Sequence, residues 1–175
     1  MKLFGPVARA VAVAGVLMAG AMPAFAGPAE MALLESYSGS WNGKGVLRGA
    51  QAQDVSCKMS MTKGNGTKLN YTGRCTLAGA QLSVTGTIAY VDANKRYEAV
   101  MNSGIGSFRG VAIGVRKGDG IAFDLKQRGN DDDGNDISIA STVTLSGGNK
   151  MAVTFHAVFN ASGDTIDANV PFSKS

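Results

Sequence analysis

The chain reads as an all-β protein, an antiparallel up-and-down β-barrel of 8–10 strands with one short N-terminal helix. Three observations predict it. From Trp41 onward, ten short runs alternate apolar and polar residues, the pattern of strands with one buried face. Turn residues close each run after roughly ten positions, with no long crossover between them, which favours consecutive hairpins. A helical period occurs once, in residues 30–37, where Met31, Leu34 and Tyr37 recur three apart.

Residues 1–26 have the pattern of a cleavable signal peptide. Lys2 and Arg9 supply the positive start, residues 10–21 are apolar or glycine, and Ala24-Phe25-Ala26 offers a small-x-small cleavage site. The apolar run is shorter than the ~20 residues a spanning helix needs. The expectation is export to the periplasm, leaving 27–175 as a single barrel domain. Two of the 17 basic residues leave with the leader and the 13 acids stay, so net charge falls from +4 to +2. The basic residues that remain are scattered, which leaves no electrostatic footprint for nucleic acid.

The elements follow in order. Residues 30–37 form a short helix packed over one end of the barrel. The first strand, 41–48, is rich in glycine and easily bent. Strands 54–63 and 68–77 form a hairpin around the turn Gly64-Asn65-Gly66-Thr67. If Lys63 faces Leu69, then Met61 faces Tyr71, Met59 faces Gly73 and Cys57 faces Cys75. Directly opposed residues on one face bring their Cβ atoms to ~5 Å, within reach of a disulfide. An exported protein permits the bond.

Strand 81–91 puts Leu82, Val84, Gly86, Ile88 and Tyr90 on one side. Residues 92–95 turn the chain into strand 97–102, and a glycine-rich corner, 104–107, leads to strand 110–117. Gly118-Asp119-Gly120 is a hairpin signal before strand 121–128. Strands 136–145, 151–160 and 165–172 complete the set. The acidic stretch 130–136 lacks the ligand spacing of a calcium loop and reads as a hairpin tip.

Gly39-Ser40-Trp41 resembles the G-x-W that opens the first strand of lipocalin-like (calycin) barrels. The longer Gly39-x-Trp41-x-Gly43-x-Gly45 is similar to the G-x-W-x-G-x-G of nitrobindin-type haem barrels. The resemblance implies a barrel in which Trp41 plugs the closed end and glycines let the strand bend. Nitrobindin-type proteins hold haem through a late histidine, and His156 is the one histidine here. Its strand puts Met151, Val153, Phe155, Ala157 and Phe159 on one face. With that face inward, His156 points out, so no haem, other cofactor or metal is expected.

The candidate ligand-binding residues are the inward set: Met59, Met61, Tyr71, Tyr90, Met101, Phe123 and Phe155, with Leu82, Val84 and Val143. The tyrosine hydroxyls and Arg109, after the glycine-rich corner, are the polar groups expected to orient a ligand. Such a pocket favours an apolar body with one polar or anionic end, as fatty acids have. No arrangement for catalysis is visible, and the chain reads as a non-enzyme. Three functions compete: a carrier of a small apolar ligand; a protein-facing envelope module, such as an inhibitor of lysozyme-type enzymes or an assembly factor; and a membrane-embedded barrel. The last would need an apolar outside and aromatic girdles, and with 7% aromatic residues it ranks last.

Overall fold

The computed structural model describes residues 27–77, 79–103, 109–130 and 134–175. The signal peptide expected over 1–26, the whole glycine-rich corner (104–107) and the centre of the acidic loop (131–133) lie outside the described residues.

Helix α1 (Pro28–Ser36) precedes ten strands: β1 (Gly39–Arg48), β2 (Gln53–Lys63), β3 (Lys68–Leu77), β4 (Ala80–Val91), β5 (Arg96–Ser103), β6 (Arg109–Lys117), β7 (Gly120–Asn130), β8 (Asp136–Ser146), β9 (Lys150–Phe159) and β10 (Thr165–Lys174). Each strand pairs antiparallel with the next, and β1 closes on β10, so the sheet is a complete barrel. Closure removes the exposed edges that a chain so rich in strands would otherwise present. The expected fold, disulfide hairpin and inward parity all hold. Lys63 opposes Leu69, Met61 opposes Tyr71, and Cys57 opposes Cys75. The two sulfurs are bonded.

The ends of the barrel differ. Helix α1 lies over the end where the β2–β3, β4–β5, β6–β7 and β8–β9 turns meet. Leu34 and Tyr37 are fully buried there, and Trp41 is 1% exposed. The Trp41 indole Nε1 donates to the Tyr37 carbonyl at 3.0 Å, and the Tyr37 hydroxyl donates to the Asp119 carbonyl at 3.3 Å, tying the helix to both sides of the rim. Around this rim Lys63 pairs with Glu35 at 2.6 Å, and Lys174 Nζ donates to the Ser36 carbonyl at 2.8 Å. The ion pair is solvent-exposed and contributes ~0–1 kcal/mol. Burying Leu34 alone contributes ~1.5–3 kcal/mol, so apolar packing holds the plug.

Three glycines explain how a sheet of this size bends shut. Gly43 of β1 opposes Phe172 of β10, Gly86 of β4 opposes Tyr71 of β3, and Gly114 of β6 opposes Phe123 of β7. In each pair the ring lies across the glycine, so that a Cβ would collide with it. At Gly86 the added atom would also strike the Val100 carbonyl, the acceptor for the Tyr71 hydroxyl at 3.1 Å. The glycines permit local bending and the rings refill the space.

Two outcomes follow from this packing. Trp41→Ala should cost ~3–5 kcal/mol through the cavity it leaves, measured by urea denaturation, and the native indole should emit at short wavelength and move red on unfolding. Gly86→Ala should cost ~1–3 kcal/mol by overpacking, and a control such as Gly129→Ala, on the inward parity of β7 but where a Cβ meets nothing within 4 Å, should cost much less.

Candidate functional site: the open half of the barrel

Inward-facing side chains fall into two zones along the barrel axis. Toward the helix, the interior is filled. Ile121 and Leu145 are fully buried, and Tyr97, Phe123, Met151 and Phe172 are each 5% exposed or less. Tyr97 packs edge-on against Tyr90 and Phe123, with ring centroids 5.0 and 6.5 Å apart. Eight strands give an interior that side chains can just fill. This barrel has ten, and the helix end is solid because Trp41, the rings of Tyr37, Tyr71, Tyr90, Tyr97, Phe123 and Phe172, and the helix are packed into it.

Toward the other end the same parity continues but the filling is only partial: Val55, Cys57, Leu125 and Ala157 stay buried while their neighbours do not. Val84, Met101, Ile137, Ile139, Phe155 and Phe159 face inward by register and are only half-buried. Small residues share this zone: Ala112 faces Ala99, and Ala168 faces Phe155. The wall of the open half is therefore apolar and reached by solvent. The Cys57–Cys75 bond lies where the core meets this wall, with Cys57 buried and Cys75 half-buried.

The sequence-predicted residues divide between the zones. Met61, Tyr71 and Phe123 are buried in the filled half, and Tyr90 joins their cluster from a half-buried position. Met59 lies at intermediate depth, opposite Trp41 on β1. Met101 and Phe155 face the open half. Val84 and Leu82 stand beside them on β4. Val143 packs against the core cluster.

Arg109 is a correction. Met101 opposes Gly110 with both facing inward, so Arg109 turns outward with Asn102. Its Nε donates to Asn102 Oδ1 at 3.0 Å on the exposed face. It therefore does not anchor an interior ligand. The residue type was right for an anion, but one position of parity moves it to the other side of the sheet.

Sequence reasoning also missed two polar groups of the open half. Gln127 opposes Ile139, and Gln53 opposes Leu47, both on the inward parity. A lone polar residue at an inward position of an otherwise apolar strand face was the signal that could have found them. Outside the barrel, His156 lies where expected, its Nδ1 2.6 Å from Asp167 Oδ1. It borders a shallow depression of about 340 Å³ across β7, β8 and β9, lined also by Lys126, Gln127, Arg128, Ser138, Ile139, Ala140 and Val158. Among the described residues no three histidine, cysteine or acidic side chains converge as a metal site would need. No helix among them is long and apolar enough to cross a membrane.

Burial raises three tyrosines of the filled half, Tyr37, Tyr71 and Tyr97. Tyr71 is pushed up to about 12 by desolvation alone. Tyr97 is pushed up to about 12 by desolvation first and then by the negative charge of Glu30. Tyr37 is raised in the same direction, also chiefly by burial.

No protein-family model matches the chain, and no curated protein matches it. Solved structures do. The chain is similar to Rv2717c from M. tuberculosis at 16% identity and a TM-score of 0.65, covering 85% of this chain and 98% of that one. It is also similar to the S-type phycobiliprotein lyase CPES from Guillardia theta at 7% identity and a TM-score of 0.52, covering 82% of this chain and 91% of that one. At these identities the likeness is one of fold.

The raised tyrosines predict a pH dependence. A phenol whose folded pKa lies above its unfolded value of ~10 adds stability that is present below pH 10 and lost as pH rises toward 12. Melting temperature should fall across that window, and absorbance near 295 nm should show Tyr71 and Tyr97 ionising at its upper edge or on unfolding. Tyr71→Phe should flatten part of the fall. With a lipocalin-like closed barrel, a plugged helix end and an open apolar half, the chain has the calycin type of fold.

Proposed function

We propose that this protein is an exported, periplasmic barrel that carries a small apolar ligand in the open half of its lumen. The observation that carries the reading is the zone of inward apolar side chains left half-buried beyond the filled core, Val84, Met101, Ile139 and Phe155 among them. A barrel packed solid would bury them as it buries Ile121 and Leu145. A pre-formed concave apolar surface with few polar groups is the usual form of a small-molecule site. Carriage requires no chemistry, and the reading is of a binding protein rather than an enzyme.

The nitrobindin-like motif at Gly39-x-Trp41-x-Gly43-x-Gly45 is accounted for by structure. Trp41 is the plug, Gly43 receives the Phe172 ring, and a Cβ on Gly45 would strike the Asn169 carbonyl. The residues present do not fit a histidine-ligated haem in the lumen, because His156 is outside and engaged by Asp167.

A protein-facing envelope role is the second reading. It is favoured by Val100, Val111, Ile113 and Val115, which stand 36–51% exposed on the outer face of β5 and β6. Val100 and Val111 are direct partners, so the four form one patch.

Protein recovered from the periplasm should begin at Gly27. N-phenyl-1-naphthylamine, an uncharged lipophilic dye, should bind it saturably in the range of about 1–50 μM and brighten. Ala168→Trp, which fills the open half, should abolish that binding at unchanged melting temperature. Binding that survives Ala168→Trp but is lost on Val111→Lys would place the dye on the outer patch and favour the second reading.

A further inference from the structure

We propose that the lumen selects for uncharged lipophiles and discriminates against carboxylates and other anions. The proposal rests on the lumen being the binding site. What carries it is that the separation of charge across the sheet, which burial requires in the core, continues at the half-buried inward positions of the open half, such as Val84, Met101, Gln127, Ile139 and Phe155.

Between Trp41 and the open end, every described side chain that the register turns inward is uncharged. On β1 and β2 they are Leu47, Gln53, Val55 and Cys57. The β3–β6 wall supplies Cys75, Leu77, Leu82, Val84, Met101, Ser103 and Ala112. The remaining strands supply Leu125, Gln127, Ile137, Ile139, Ser141, Phe155, Ala157, Phe159, Ile166 and Ala168. The charged residues of the same strands, Arg48, Asp54, Lys58, Arg74, Arg109, Lys126, Arg128 and Asp167, all sit on the opposite parity and face out. The cations with inward parity, Lys63, Arg116 and Lys174, lie at the rim of the helix end, on the far side of the plug, and are engaged there with Glu35, Glu30 and Ser36.

A carboxylate drawn into this wall would lose water and meet no cation. Burying a charge without a partner is strongly unfavourable, and the group protonates instead. An uncharged lipophile with one carbonyl, hydroxyl or amide loses much less. It can recover that loss at Gln127 or Gln53, whose amides offer both a donor and an acceptor and make no hydrogen bond to another described residue. The ligand class is thus an apolar body with a neutral hydrogen-bonding head, in place of the fatty acid expected when Arg109 was taken as lumenal.

The test compares decanol with decanoate as displacers of N-phenyl-1-naphthylamine. At pH 8 decanol should displace the dye at least tenfold more effectively. Near pH 4, where the acid is largely neutral, the gap should close. Gln127→Lys should reverse the order at pH 8 by giving decanoate a partner. Equal or tighter binding of decanoate at pH 8, with both ligands lost in Ala168→Trp or, should that variant fold poorly, in Val84→Phe, would overturn the selectivity and leave the lumen as the site. Failure of both to displace the dye, or displacement unaffected by either filling variant, would overturn the lumen reading and this inference with it.

Discussion

The seal at the helix end is the constraint on which the rest depends. The Trp41 indole sits beneath α1, its Nε1 held by the Tyr37 carbonyl and its ring buried with Leu34. A ten-strand barrel is too wide to be filled by strand side chains alone at every level. The helix and the indole supply the missing volume at one end only. Closure of the sheet, in turn, depends on glycines that let strands bend beneath aromatic rings, and all three of those rings, Tyr71, Phe123 and Phe172, belong to the same packed half. Plug, bends and core are therefore one cooperative unit, and the open half is what that unit leaves unfilled.

Charge follows the same division. The outer face carries the ionisable groups, in cross-strand contacts such as His156 with Asp167 and Thr142 with Asp124. These are exposed and individually weak. Their value lies in keeping the outer face wetted while the inner face stays apolar, the reverse of the arrangement a membrane-embedded barrel requires. The patch of Val100, Val111, Ile113 and Val115 is the exception on the outside, as Gln53, Ser103, Gln127 and Ser141 are polar exceptions within.

Much of this was legible from alternation. Parity placed the inward faces of the strands, put His156 outside and matched Cys57 to Cys75 through a turn only four residues long. Local registers of that kind are set by the hairpin itself. Three features were not legible. Arg109 follows a corner across which parity cannot be counted, and it was assigned to the wrong face. The pairing of Gly43 with Phe172 joins the first strand to the last, a contact that no local pattern encodes. Depth was the third: alternation says that Met61 and Met101 both face inward, but not that one is buried in the core and the other half-buried beyond it. That difference depends on where the helix ends its cover, a property of the whole barrel. The expected ligand residues therefore mixed core residues with lumen wall.

The central claim is that binding occurs in the open half and leaves the plugged half undisturbed. Methyl NMR of the methionines reports on both at once, since Met101 and Met59 lie on the lumen side and Met31 and Met151 lie with the helix and the closed end. On saturation with decanol, the account predicts shifts at Met101, smaller ones at Met59, and none at Met31 or Met151. Shifts confined to Met31 and Met151, or no shift at any methionine under conditions where binding is independently saturated, would contradict it.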